Sequence, residues 1–181
     1  MPSPVTTPVF LIGYRGTGKT TVAKQLAARL GCGWIDADDE IERRAGKSIA
    51  EIFAEQGQRA FRDLEAEVVA DLCQRGQGTV IALGGGAVLR DETRAAIRAA
   101  GPVVWLTGTP ETIAQRLTAD PTTASRRPNL TNAGGMAEIE TVLSERTPLY
   151  HACATFAVDT DGKSPADIVD EILAKLQTTP R

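Results

Sequence analysis

No apolar run in the chain approaches the roughly 20 residues needed to cross a bilayer; the longest, 9–12 and 103–106, fall far short. No membrane partner is therefore expected. Residues 1–7 have neither a positive cluster nor a hydrophobic stretch with a small-residue cleavage site, so they do not read as a secretory signal. They are read as a flexible tail, with 178–181 as its counterpart. Cysteine is scarce: Cys32, Cys73 and Cys153 form no Cys-x-x-Cys pair and have only His151 as a nearby imidazole. Metal and redox roles are not expected of them, and burial as small hydrophobes in a reducing cytoplasm is. An excess of positive charge is also missing. The formal net charge is −3, whereas general nucleic-acid binding depends on Lys and Arg neutralising phosphates. No nucleic-acid partner is expected, and any basic site must be local. Internal repeats are absent too.

What is present is ordinary for a globular protein, with 42% hydrophobic and 24% charged residues over 181 positions. That length suits one domain, placed at 8–177, and a monomer is expected. Short apolar runs at 9–12, 33–36, 79–83, 103–107 and 155–158 alternate with longer amphipathic stretches, which predicts an α/β fold with a five-stranded parallel sheet. The stretch 19–30 places Val22, Ala23, Leu26, Ala27 and Leu30 on one helical stripe and stops at Gly31. A second helical block opens at Ser48, which has capping-box spacing to Glu51, breaks near Gly57, and resumes through Phe61, Leu64, Val68, Val69 and Leu72. This connection between the second and third strands has the makings of a substrate-binding insertion, taken as 37–65. Further helices are predicted at 90–100, 110–117, 136–149 and 164–176. The segment 118–135 has no period and reads as a mobile flap.

Gly13-Tyr14-Arg15-Gly16-Thr17-Gly18-Lys19-Thr20 has the spacing of a P-loop, with a strand before it and a helix after it. In such a loop the glycines let backbone N–H groups approach phosphates, Lys19 reaches the outer phosphates and Thr20 offers a hydroxyl to Mg²⁺. An acidic partner for that metal is missing at the ends of the third and fourth strands. Asp36-Ala37-Asp38, after the second strand, supplies it, and alternate positions on extended chain put both carboxylates on one side. Helix capping is the competing role for this pair, and Asp159 competes for the metal. Gly84-Gly85-Gly86 follows the third strand at the sheet edge where α/β proteins bind ligands, and equally suits a strand-to-helix turn. Arg62, Arg116, Arg126, Arg127 and Arg146 are candidates to stabilise transferred phosphoryl charge, with solvated surface charge as the alternative.

Taken together, the P-loop, Asp36-Ala37-Asp38, Ser48-Ile49-Ala50-Glu51-Ile52-Phe53, Phe61-Arg62-Asp63-Leu64-Glu65, the triple glycine, Arg127-Pro128 and Arg146-Thr147-Pro148-Leu149-Tyr150 resemble the shikimate kinase family in order and spacing. The resemblance covers about 8–176. It implies a three-layer P-loop kinase fold with a helical substrate-binding insertion and a mobile lid. It further implies shikimate and ATP as substrates, with Mg²⁺, and transfer of the γ-phosphoryl group to the 3-hydroxyl of shikimate in chorismate and aromatic amino acid biosynthesis. Carried over position by position, ATP would meet Gly13, Gly16, Thr17, Gly18, Lys19, Thr20, Thr21, Arg116, Arg127 and Lys163. Shikimate would meet Asp38, Arg62, Gly84, Gly85, Gly86 and Arg146, with Thr20 and Asp36 toward the metal. Lys19, Asp38 and Arg127 would be catalytic. The sequence departs from the family pattern in its adjacent Arg126 and Arg127, either of which suits the lid, and in Lys163, which replaces an arginine near the adenine and lacks a planar guanidinium. A kinase for gluconate, another small hydroxy acid or a nucleoside monophosphate is the neighbouring alternative. A nucleotide-dependent regulator is the distant one; the lack of an Asn-Lys-x-Asp motif argues against GTP switching.

Overall fold

The computed structural model describes residues 6–120, 130 and 134–178. Most of the flap expected over 118–135, including Arg126 and Arg127, lies outside them, as do residues 1–5 and 179–181 of the two expected tails.

Five strands, β1 (Val9–Ile12), β2 (Gly33–Asp36), β3 (Thr79–Ala82), β4 (Val103–Thr107) and β5 (Phe156–Asp159), form one all-parallel sheet in the order β2-β3-β1-β4-β5. The helices are α1 (Lys19–Leu30), α2 (Ala37–Ala45), α3 (Ile49–Arg75), α4 (Asp91–Ala100), α5 (Pro110–Ala119), α6 (Gly135–Cys153) and α7 (Pro165–Thr178). A 3₁₀ turn at Ala87–Leu89 precedes α4.

The strands read as continuous apolar runs because both sheet faces are covered. Val9 and Leu11 of β1 pack with Val22 and Leu26 of α1 and Ile168 and Ile172 of α7. Phe10 and Ile12 face the other way, toward Ile41 of α2, Phe61 and Leu72 of α3, Ile97 of α4 and Tyr150 of α6. The period of two therefore divides a single strand between two cores, giving three layers. A smaller cluster of Tyr14, Ile113, Ile139 and Val142 fastens the loop after β1 to α5 and α6.

Local signals set the helix ends. Ser48 and Glu51 form the capping box reciprocally, and Gly57 interrupts α3 at φ 81°, ψ 175°. Phe53 and Phe61 stack across that interruption with ring centroids 4.6 Å apart, so the two pieces stay packed. Two differences from the sequence reading have clear causes. Helix α6 runs past its expected end at 149 to Cys153 despite Pro148: Tyr150 and Cys153 are buried in the core, and that packing outweighs the lost N–H. Asp38 lies in the first turn of α2 instead of on extended chain, because Asp36 already caps that helix by accepting the Asp38 N–H at 2.9 Å.

Candidate active site

Because β1 is central and all strands run parallel, the loops at their carboxyl ends converge. There they enclose a cavity of about 300 Å³. Its floor is the loop between β1 and α1. Gly13 at φ 142° sits under the end of β4, where a Cβ would come within 2.4 Å of the Leu106 carbonyl oxygen. Only glycine satisfies both the backbone angle and the space. Gly18, at the N-cap of α1, provides no side-chain cap, so the first N–H groups of α1 remain available to an anion. Lys19 Nζ donates to the Gly13 carbonyl at 2.8 Å and the Tyr14 carbonyl at 2.9 Å, lying across the loop it would leave to reach a phosphate.

Gly16, Gly18, Lys19, Thr20 and Thr21 all line the cavity. Thr17 turns inward: it is 1% exposed and its hydroxyl donates to the Tyr14 carbonyl at 2.7 Å. Its side chain braces the loop, and Gly13 likewise lies beneath the cavity wall.

Thr20 Oγ1 donates to Asp36 Oδ2 at 2.7 Å, joining the loop to the end of β2. Burial, and then the charge of Asp38, raise the Asp36 carboxyl above its ordinary range. A cation would relieve both effects. Capping and metal binding are therefore compatible at Asp36: one oxygen holds α2 and the other meets Thr20. Asp38, in the first turn of α2, lines the same cavity. Asp159 does not; it ends the opposite edge strand, exposed, and accepts the Asp161 N–H.

Gly84, Gly85 and Arg146 form the opposite wall, and Arg146 is buried at 7% exposure. Arg62 and Gly86 lie just behind, lining a small adjoining cavity with Arg90 and Thr93. Arg62 is 8% exposed and pairs with Glu65, while its Nε and Nη2 are buried without a hydrogen-bond partner among the described residues. A buried guanidinium with open donors is a poor surface charge and a good anion receptor. The third glycine makes room for it: a Cβ on Gly86 would fall 2.2 Å from Arg62 Nη1.

Arg116 reaches the cavity from α5, donating to Thr160 Oγ1 and the Thr160 carbonyl, both at 2.8 Å. Lys163 is not brought to the cavity; it pairs with Glu171 of α7 at 2.7 Å. Sequence reasoning missed Arg15, which lines the cavity and pairs with Glu138, a carboxylate only 1% exposed near the start of α6. The P-loop pattern leaves position 15 free, and the Glu138 partnership spans 123 positions, so neither had a local signal. Tyr150 was within reach, inside the run that begins at Arg146.

A nucleotide loop that opens into a walled, arginine-bearing pocket suits phosphoryl transfer to a small acceptor, and the sheet order with β1 at its centre is that of P-loop kinases. The sequence comparisons narrow the class further. The shikimate kinase family model matches residues 15–177. Shikimate kinase of Rhodopirellula baltica is 46% identical over 165 residues, spanning 91% of this chain and 88% of that protein. The Symbiobacterium thermophilum shikimate kinase is 43% identical over 93% of this chain and 95% of its own length. A solved shikimate kinase from Acinetobacter baumannii, in complex with shikimate, superposes with a TM-score of 0.89 at 32% identity, covering 97% of this chain and 95% of its own. The chain belongs to the shikimate kinase family.

Proposed function

We propose that the chain transfers the γ-phosphoryl group of ATP to the 3-hydroxyl of shikimate, yielding shikimate 3-phosphate and ADP for chorismate and aromatic amino acid synthesis. The observation that carries this reading is the pair of buried arginines, Arg62 and Arg146, beside the Gly84–86 loop and across from the P-loop. Two desolvated guanidinium groups, Arg146 in the cavity wall and Arg62 just behind it, favour an acceptor with a carboxylate, which an arginine can receive in bidentate fashion.

Loop amides, the α1 N-terminus and Lys19 would hold the phosphates, and Arg116 the nucleotide side. Thr20 and Asp36 fit Mg²⁺: they are hard oxygen donors 2.7 Å apart, with a carboxylate that burial leaves in need of a cation. Among the described residues there is no cluster of three or more acidic, histidine or cysteine side chains, as suits a metal bound mainly by phosphates and water. When bound, Mg²⁺ neutralises charge on the phosphate oxygens. Asp38 lines the cavity beside Asp36 and would take the hydrogen bond of the attacking hydroxyl, orienting it in line. In a loose transition state that orientation matters more than early proton removal. Arg127, outside the described residues, is the proposed lid cation. Cys73 and Cys153, each pushed up to about 11 by burial, would remain thiols in a reducing cytoplasm, and nothing in the chemistry calls for more than one copy of the chain.

ADP release is the test, measured with MgATP against shikimate, quinate, gluconate and several nucleoside monophosphates. Turnover should depend on shikimate. Absence of stimulation by shikimate would overturn the assignment, and stimulation by gluconate alone would transfer it to the neighbouring alternative.

A further inference from the structure

Tyr150 reaches the acceptor wall from behind. It lies near the end of α6 with no exposed surface, its ring stacked on Trp105 of β4 with centroids 5.8 Å apart. Its hydroxyl donates to the Gly85 carbonyl at 2.6 Å. Arg146, four residues earlier on the same helix, is its neighbour. A Cβ on Gly85 would stand 3.5 Å from Arg146 Nη1, so the same small region holds the glycine, the guanidinium and the phenol. Burial pushes the Tyr150 hydroxyl up to about 12, against the opposing charge and hydrogen bond of Arg146. The proton that it donates is therefore kept throughout the neutral range.

A trans peptide points its C=O and N–H to opposite edges. Anchoring the Gly85 carbonyl on Tyr150 thus fixes where the Gly86 N–H points. The restraint matters because a peptide between two glycines meets little steric resistance to rotation. Neither the Gly85 nor the Gly86 N–H donates to another described residue, which leaves both for a ligand.

We propose that Tyr150 is a positioning residue for the acceptor's carboxylate: its hydroxyl locks the Gly85–Gly86 peptide so that the Gly86 N–H is presented to the carboxylate that Arg146 receives. This rests on the assignment of a carboxylate-bearing acceptor. Tyr150 itself touches no substrate.

Tyr150→Phe removes the hydroxyl and keeps the ring. The KM for shikimate should rise about tenfold, the scale of one charge-assisted hydrogen bond, with kcat and the KM for ATP within about twofold of the parent. Binding of the shikimate analogue whose carboxylate is reduced to an alcohol, measured by competition, should be equal in parent and variant. Equal losses for both acceptors, or a parallel loss for ATP, would show a merely structural role and overturn the proposal. Amide NMR separates this outcome from failure of the functional assignment. In the ligand-free proteins Tyr150→Phe should move the Gly86 resonance, whatever the substrate, and an unmoved resonance also overturns the lock. Lack of shikimate turnover in the parent, with Gly86 still shifted by the substitution, would count against the substrate alone.

Discussion

Gly86 shows how one missing side chain makes room for a buried guanidinium. Its φ of −97° is open to any residue, so backbone freedom does not explain it. The Arg62 guanidinium fills the space in which a Cβ would sit. Gly86→Ala should therefore fold, with a loss of no more than about 2 kcal/mol, yet weaken shikimate at least about tenfold by displacing a charge-assisted donor. Titration of both substrates checks this, since ATP affinity should be unchanged. At this scale the sequence was partly legible. Lys19, Thr20, Asp36 and Asp38 stand close together in the chain, where spacing is informative. Arg62 and Arg146 looked like any surface arginine until family motifs singled them out, because their burial depends on Gly86, Glu65 and Tyr150, brought in by the fold.

Among the elements, α2 and α3 are joined by charge as well as by apolar packing. Glu40 of α2 is 11% exposed and pairs with Arg43 and Arg44 on its own helix and with Arg75 near the end of α3. Asp71 of α3 pairs in turn with Arg44 and Arg75. The hydrogen bond from Arg43 and the neighbouring guanidinium charges lower the Glu40 carboxyl to about 2. Its contribution to stability is thus fully present above the ordinary value of 4.5 and is lost as pH falls from there toward about 2. Glu40→Gln should cost about 1 kcal/mol at neutral pH, a small sum because all three arginines are partly in water. Urea denaturation across a pH series should show the difference narrowing below about pH 4.5 and vanishing near pH 2. Helix starts marked by caps, as at Ser48, were readable in the sequence. Asp38 was read as extended chain, with capping only the competing role for the pair, because Asp36 is both the last residue of a strand and the cap of the helix that follows.

Across the whole molecule, the order β2-β3-β1-β4-β5 places the phosphate loop after a strand paired on both sides and Asp36 at the end of an edge strand paired only with β3. Stability should follow that asymmetry. In native-state hydrogen exchange, the Leu11 amide should open only with global unfolding, while Ile35 and Asp36 should exchange at least about tenfold faster through local opening. Matching protection in the two strands would contradict this. The alternation of strands and helices, and hence the parallel sheet, was visible in the hydrophobic pattern. The strand order was not, because pairing between distant segments leaves no periodic trace.

Gly85 lies where the two halves of the cavity meet: a Cβ there would stand 3.3 Å from the Gly13 carbonyl oxygen and 3.5 Å from both the Arg15 amide and Arg146 Nη1. A substitution at this position would therefore be felt by the nucleotide and acceptor sides together. On the proposed assignment, redesign toward a new acceptor has an easier route through Arg62 and Arg146, which stand outside the phosphate loop, while Asp38 would have to be kept to orient the hydroxyl.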